Sequence, residues 1–313
     1  MTTNSRILGG FYGSLIGDAL GVPVEFSSRS ARKADPVTCM RAHGMHNQPK
    51  GTWSDDGSLL LCAAESLAEK GFNTQDMGER FLRWFDTGYW GAHGRVFDIG
   101  NATRKALDRI SLGTPAEDAG GRDQYENGNG SLMRILPVVL DGLHLDEVSF
   151  SSRIERASAI THAHARSKMA CVFFGMMVRA LMAGLSPQDA LCQAQACFAG
   201  RHERSPEFSH FAQVTKDALI EESEHEIESG GYVIDTLTAS IWCLLTTSCF
   251  SKCVLKAVNL GDDTDTTGCV AGGLAGVFYG VEAIPAEWIS FLPRQDDLRN
   301  LFQKFIGKNE QLP

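Results

Sequence analysis

Along most of the 313-residue chain, apolar positions recur every three or four residues, the spacing of one face of an α-helix. This periodicity predicts helices over 7–22, 57–70, 76–86, 101–110 and 131–141. It predicts more over 152–160, 164–183, 187–199, 210–227, 233–249, 251–259 and 266–280. Local signals agree. Ser54-Asp55-Asp56 stands before GSLLLCAAESLAEKG as a helix cap, and Ser186-Pro187 opens another helix with Pro in the first turn. Convincing alternation at period two is hard to find, and no Pro/Ser linker, tandem repeat or abrupt composition shift divides the sequence. The expectation is all-α: a single compact orthogonal helical bundle, one domain over 1–313.

One pattern occurs near both ends of the chain. Gly9, Gly13, Gly17 and Gly21 recur every fourth residue, and so do Gly268, Gly272, Gly276 and Gly280. Each set forms a stripe without side chains along its helix. Glycine costs about 1 kcal/mol against alanine inside a helix, so the stripes need a compensating gain. Close backbone approach supplies one, as small-residue stripes do between membrane helices. The two helices are therefore expected to be buried and central. If they pack antiparallel, Asp263 and Asp265 at the start of the second lie beside Asp18 and Glu25 at the end of the first.

Composition narrows the class. Apolar residues make up 43% and charged residues 21%, an ordinary globular balance. The net charge of −9, from 29 basic and 38 acidic side chains, argues against a broad nucleic-acid-binding face. The acidic run at Glu221, Glu222, Glu224, Glu226 and Glu228 reads as a solvated helix end or loop. Nine cysteines without a C-x-x-C pair point to a reducing cytoplasm. The opening MTTNSRILGG lacks signal-peptide character, and the longest uncharged stretches are too short or too glycine-rich for a membrane span. A cytoplasmic protein with neither nucleic-acid nor membrane partners is expected.

Two acidic knots carry the chemistry. GDDTDTTG places Asp262, Asp263 and Asp265 within four positions, and GTWSDDG carries Asp55 and Asp56. Both open Gly- and Ala-rich helices. A helix cap needs one oxygen, so two crowded, hydroxyl-flanked knots point past capping. Carboxylates and hydroxyls are hard oxygen ligands suited to Mg²⁺, Mn²⁺ or Ca²⁺, whereas zinc would call for His and Cys. Four aspartates are generous for one ion and suit two. An EF-hand fails, because Leu274 stands where the bidentate Glu belongs. The D-x-D-x-T pattern of aspartate-nucleophile phosphatases also fits poorly, since VLKAVNLGD before it looks helical rather than a buried strand.

Six motifs in order, GDALGVPVEF, GTWSDDG, FDIGNAT, NGNGSLMRILP, THAHARS and GDDTDTTGCVAGGLAG, resemble those of ADP-ribosylglycohydrolases, across residues 9 to 280. The resemblance implies an all-α fold, a centre of two Mg²⁺ or Mn²⁺ ions, and hydrolysis of the bond between ADP-ribose and an acceptor, often arginine. It assigns Ser54, Asp55, Asp56, Asp263, Asp265 and Thr266 as metal ligands. Ser54 stands where the family has Thr; it keeps the hydroxyl and loses a methyl, which loosens its rotamer. Asp262 has no ligand counterpart. Glu25 and Asp98 match carboxylates at the scissile bond, and either could be the base. Asn129, Gly130 and Ser131 would contact substrate, with backbone N–H groups before a helix cradling the diphosphate. His162 would line the pocket; it and His164, at i and i+2, do not share a helix face and are not a zinc pair. Tyr232 matches an aromatic that stacks on adenine.

These parts suit glycoside hydrolysis, which passes through an oxocarbenium-like state and uses a carboxylate near the anomeric carbon. The leading expectation is a metal-dependent hydrolase that reverses ADP-ribosylation, acting on ADP-ribosylated protein or on an ADP-ribosyl small molecule. The alternative is a non-catalytic protein that uses the same pocket to bind ADP-ribose or to block an ADP-ribosyltransferase toxin.

Overall fold

A computed structural model describes residues 1–309. Fifteen α-helices and several 3₁₀ turns make up the regular structure, with no strand among the described residues. The helices are α1 (Thr3–Gly21), α2 (Arg29–Ala34), α3 (Asp55–Lys70), α4 (Thr74–Thr87), α5 (Asn101–Ser111), α6 (Ala116–Ala119) and α7 (Leu136–Asp141). They continue with α8 (Glu147–Ala159), α9 (Ala165–Met182), α10 (Pro187–His202) and α11 (Val233–Leu245). The last four are α12 (Phe250–Val258), α13 (Thr264–Tyr279), α14 (Ala286–Phe291) and α15 (Gln295–Asn309).

The glycine stripes explain the centre. α1 and α13 share the largest helix–helix interface, antiparallel, with Gly9 against Gly276, Gly13 against Gly272 and Gly17 against Gly268. A Cβ added at any of these six would collide with the carbonyl of the facing glycine. Backbone therefore packs on backbone, and α1 is buried along nearly its whole length. By length and composition α1 could cross a membrane, contrary to the expectation above, yet 94% of its apolar window is buried inside the protein. The antiparallel crossing brings the last turn of α1 beside the first turn of α13, as the spacing predicts. α3, α11 and α12 pack around this pair.

The structure departs from the predicted pattern in three ways. The helix expected over 210–227 is a chain of turns and short 3₁₀ pieces. Its buried residues Phe211, Val214, Leu219 and Ile227 scatter around a helical wheel rather than forming a stripe. The helix expected from 131 starts at Leu136, with Pro137 in its first turn, because Ser131–Arg134 forms turns. Four helices, α2, α6, α14 and α15, lie outside the predicted set. The longest, α15, buries Leu298, Leu301, Phe302 and Phe305, and Phe302 stacks on Phe11 of α1 at 4.6 Å.

Candidate metal centre and active-site cleft

The two acidic knots meet at the base of a cleft of about 450 Å³. Asp55 and Asp56 occupy the first turn of α3, and Asp265 and Thr266 the first turn of α13. The Thr266 hydroxyl lies 3.4 Å from Asp56 Oδ2 and joins the knots directly. Ser54 caps α3: its Oγ accepts from the Asp56 N–H at 3.2 Å and donates to Asp56 Oδ2 at 3.1 Å. The last turn of α1 supplies an anchor. Asp18, fully buried, accepts backbone N–H bonds from Ser54 at 2.9 and 3.0 Å and from Gly57 at 2.8 Å. It fixes the loop that presents Asp55 and Asp56.

The second knot is held from the other side. Asn129 Nδ2 donates to Asp263 Oδ2 at 2.9 Å and to Thr236 Oγ1 at 2.8 Å. Asp262 is exposed; its backbone accepts from Phe26 N–H at 2.7 Å and donates to Ser27 at 2.8 Å. That clip ties the loop carrying Glu25 to the start of α13. Ligand-capable oxygens of Glu25, Asp263 and Asp265 lie within 4.8 Å of one another.

This centre fits a divalent cation. Buried oxygens Asp56 Oδ1, Asp263 Oδ1 and Asp265 Oδ2 have no hydrogen-bond partner. Such an oxygen loses its water and gains nothing, a cost of about 1–3 kcal/mol or more when charged. Burial, followed by the charges of their neighbours, pushes the carboxyls of Asp55, Asp56 and Asp265 well above the usual range. A cation among them removes both penalties, and the donors are all hard oxygens.

Glu25 and Asp98 stand on the cleft wall with a histidine between them. His46 Nε2 contacts Glu25 Oε2 and lies 3.9 Å from Asp98 Oδ1. Burial lifts Glu25 to about 8, helped by the Asp263 charge, and lifts Asp98 to about 7, helped by Glu25. Asp98 (φ 57°) and Phe26 beside Glu25 (φ 59°) adopt the left-handed conformation, which is uncommon for such residues and concentrates at functional sites. The loop before Asp98 is clamped to the GTWSDD segment. Trp53 Nε1 donates to the Trp90 carbonyl at 3.0 Å, and Thr52 Oγ1 meets His93 Nε2 at 3.0 Å.

The remaining predicted contacts divide. Asn129, Gly130 and His162 line the cleft. His162 is buried and bonded through Nδ1 to Thr161 Oγ1 at 2.8 Å; burial and the nearby Arg134 push it down to about 3, so it is neutral. His164 instead caps α9, accepting from the Arg166 N–H at 3.2 Å. Ser131 does not reach the cleft. It is fully buried, with its hydroxyl between Ser158 Oγ at 2.9 Å and Cys171 Sγ at 3.4 Å. Nor does a helix start at 131, and the Asn129 N–H already donates to Gly231 at 3.1 Å, so no helix N-terminus cradles an anion there. Tyr232 lines an adjoining cavity of about 410 Å³ that shares Tyr125, Gly128 and Gly231 with the first. Asp18 and His46 carry no predicted site role. Asp18 has a signal, its place at the end of the first glycine stripe; His46 sits in a loop without one.

Comparison with known proteins agrees with this architecture. The ADP-ribosylglycohydrolase family model matches residues 1–312. An ADP-ribosylarginine hydrolase Tri1 of Serratia proteamaculans is 32% identical over 299 residues, 95% of this chain and 78% of that protein. The ADP-ribosyl-[dinitrogen reductase] glycohydrolase of Rhodospirillum rubrum is 31% identical over 295 residues, 93% of this chain and 91% of that protein. A solved structure described as an ADP-ribosylglycohydrolase-related protein complex superposes with a TM-score of 0.82 at 32% identity, covering 98% of this chain and 99% of that chain.

Proposed function

The chain belongs to the ADP-ribosylglycohydrolase family, hydrolytic enzymes acting on ADP-ribose linkages, and from that premise we propose that it releases ADP-ribose from modified arginine with the help of two Mg²⁺ or Mn²⁺ ions. The observation that carries this reading is the junction of the two acidic knots: Thr266 on Asp56, with three buried carboxylate oxygens of one cluster lacking any donor. Ser54, Asp55, Asp56, Asp263, Asp265 and Thr266 would hold the ions. When bound, they would orient the hydroxyls of the distal ribose and acidify a water.

The chain's own residues do the rest. Asp18 and Asn129 anchor the two knots from opposite sides. Glu25 and Asp98 share the wall facing the ribose, and one of them takes the proton of the attacking water. The water oxygen bonds to the anomeric carbon as the carbon–nitrogen bond breaks. Its electron pair stays on the guanidine nitrogen, which takes up a proton. Neutral His162 and the Gly128–Gly130 backbone form the wall beyond, and Tyr232 in the adjoining cavity offers a face for adenine.

The test is release of ADP-ribose from ADP-ribosyl-arginine by the chelated protein before and after Mg²⁺ or Mn²⁺ is restored. The reading expects activity only with metal. Equal turnover in EDTA contradicts the metal role, and no turnover under any metal contradicts the substrate.

A further inference from the structure

The cleft that must hold a diphosphate is acidic on nearly every side. Glu25, Asp55, Asp56, Asp98, Glu126 and Asp263 all line it. Against them stands one Lys or Arg, Lys105 on α5, since His162 is held neutral. Resting on the functional reading above, we propose that Lys105 is the cation that receives the substrate's diphosphate, and that Glu126 competes with the substrate for it.

The geometry supports an exchange of partners. Lys105 Nζ lies 3.3 Å from Glu126 Oε1, and the lysine side chain is 60% exposed against 19% for the glutamate. A pair this open contributes little and breaks readily. Lys105 is a flexible point charge that can turn to a phosphate oxygen, a charge-assisted contact stronger than a neutral hydrogen bond. Its position suits the span. Gly100–Thr103 of the same segment line the cleft beside Asp98, as does Glu126, while its neighbour Tyr125 also lines the cavity of Tyr232. A ligand running from the acidic knots to Tyr232 passes this wall between its ribose and adenine ends. Without Lys105, its two negative charges would meet only carboxylates and neutral groups within this cleft, since Arg166 of the adjoining cavity is already paired with Glu207 at 2.7 Å.

The pairing gives opposite signs to two substitutions. Lys105→Met should weaken ADP-ribose binding and raise KM about tenfold while leaving kcat nearly unchanged, because the contact is made in ground and transition states alike. Lys105→Arg should restore most of that affinity. Glu126→Gln should free the lysine and tighten binding by about two- to threefold. Calorimetry with ADP-ribose in Mg²⁺ on the full chain reads all three. Equal affinity of the unaltered protein and Lys105→Met, or weaker binding by Glu126→Gln, overturns the proposal and leaves the hydrolase reading intact. Failure of the unaltered protein to bind ADP-ribose overturns both.

Discussion

The floor of the cleft and its rim are built in opposite ways. The floor lies at the crossing of α1 and α13, where facing glycines leave backbone against backbone, and the first turns of α3 and α13 deliver the two acidic knots. The rim consists of loops: Glu25 follows a 3₁₀ turn, Asp98 has positive φ, and Phe26 and Tyr125 stand 61% and 87% exposed. The difference teaches where precision is stored. The carboxylates proposed to face one another across a cation sit on helix first turns, anchored by Asp18 and Asn129. The groups proposed to act at the scissile bond sit on loops instead.

Overpacking the floor is the severest test of that contrast. Gly17→Val places a branched side chain where even a Cβ meets the Gly268 carbonyl, and it should cost on the order of 3 kcal/mol or more. Denaturant unfolding should show a large fall or no folded protein; a neutral result would mean the interface yields. A rim change should do the reverse. Asp98→Asn should lower kcat by about 10²–10⁴-fold with no fall in melting temperature. If Asp98→Asn retains full turnover, Glu25 alone is the base.

The buried acids of the floor and inner wall give a pH signature in chelator. Burial raises Asp18 to about 8, Glu25 to about 8 and Asp98 to about 7. The folded protein thus holds protons that the unfolded chain has released, so stability falls as pH rises from about 4 towards about 7–8, by about 1.4 kcal/mol per pH unit for each such group. Metal-free protein should melt higher at pH 5 than at pH 8, with Mg²⁺ closing the gap. Flat melting temperatures would mean that burial does not hold these carboxyls protonated. The smallest expected effect belongs to Ser54→Thr, which restores a methyl to a cap that already bonds Asp56. Metal affinity should tighten by no more than about threefold, read by calorimetry.

The same contrast decided what the sequence revealed. Gly9, Gly13 and Gly17 with their partners announced the central crossing, because a four-residue spacing is a property of the chain itself. The knots at Asp55-Asp56 and Asp263-x-Asp265 were legible as clusters of hard oxygen donors, and the fold brings them together. Asp18 was visible as a neighbour but not as the residue that binds the Ser54 and Gly57 amides, a contact across the fold. His46 was not legible, since its meeting with Glu25 and Asp98 depends on two irregular loops. Ser131 was misplaced because the NGNGS motif suggests a helix start, whereas turns rotate the serine into the core. α15 shows helical spacing at Leu298, Leu301, Phe302 and Phe305, short of any motif that would draw attention to it.

The central claim is that both knots form one metal centre. Titrating Mn²⁺ into metal-free protein tests it, with unaltered chain, Asp56→Ala and Asp265→Ala compared side by side. The account predicts two bound ions for the unaltered protein and a loss of stoichiometry or affinity of at least about tenfold from either substitution, although the two residues lie on different helices. Unchanged binding when either knot loses its aspartate would contradict it.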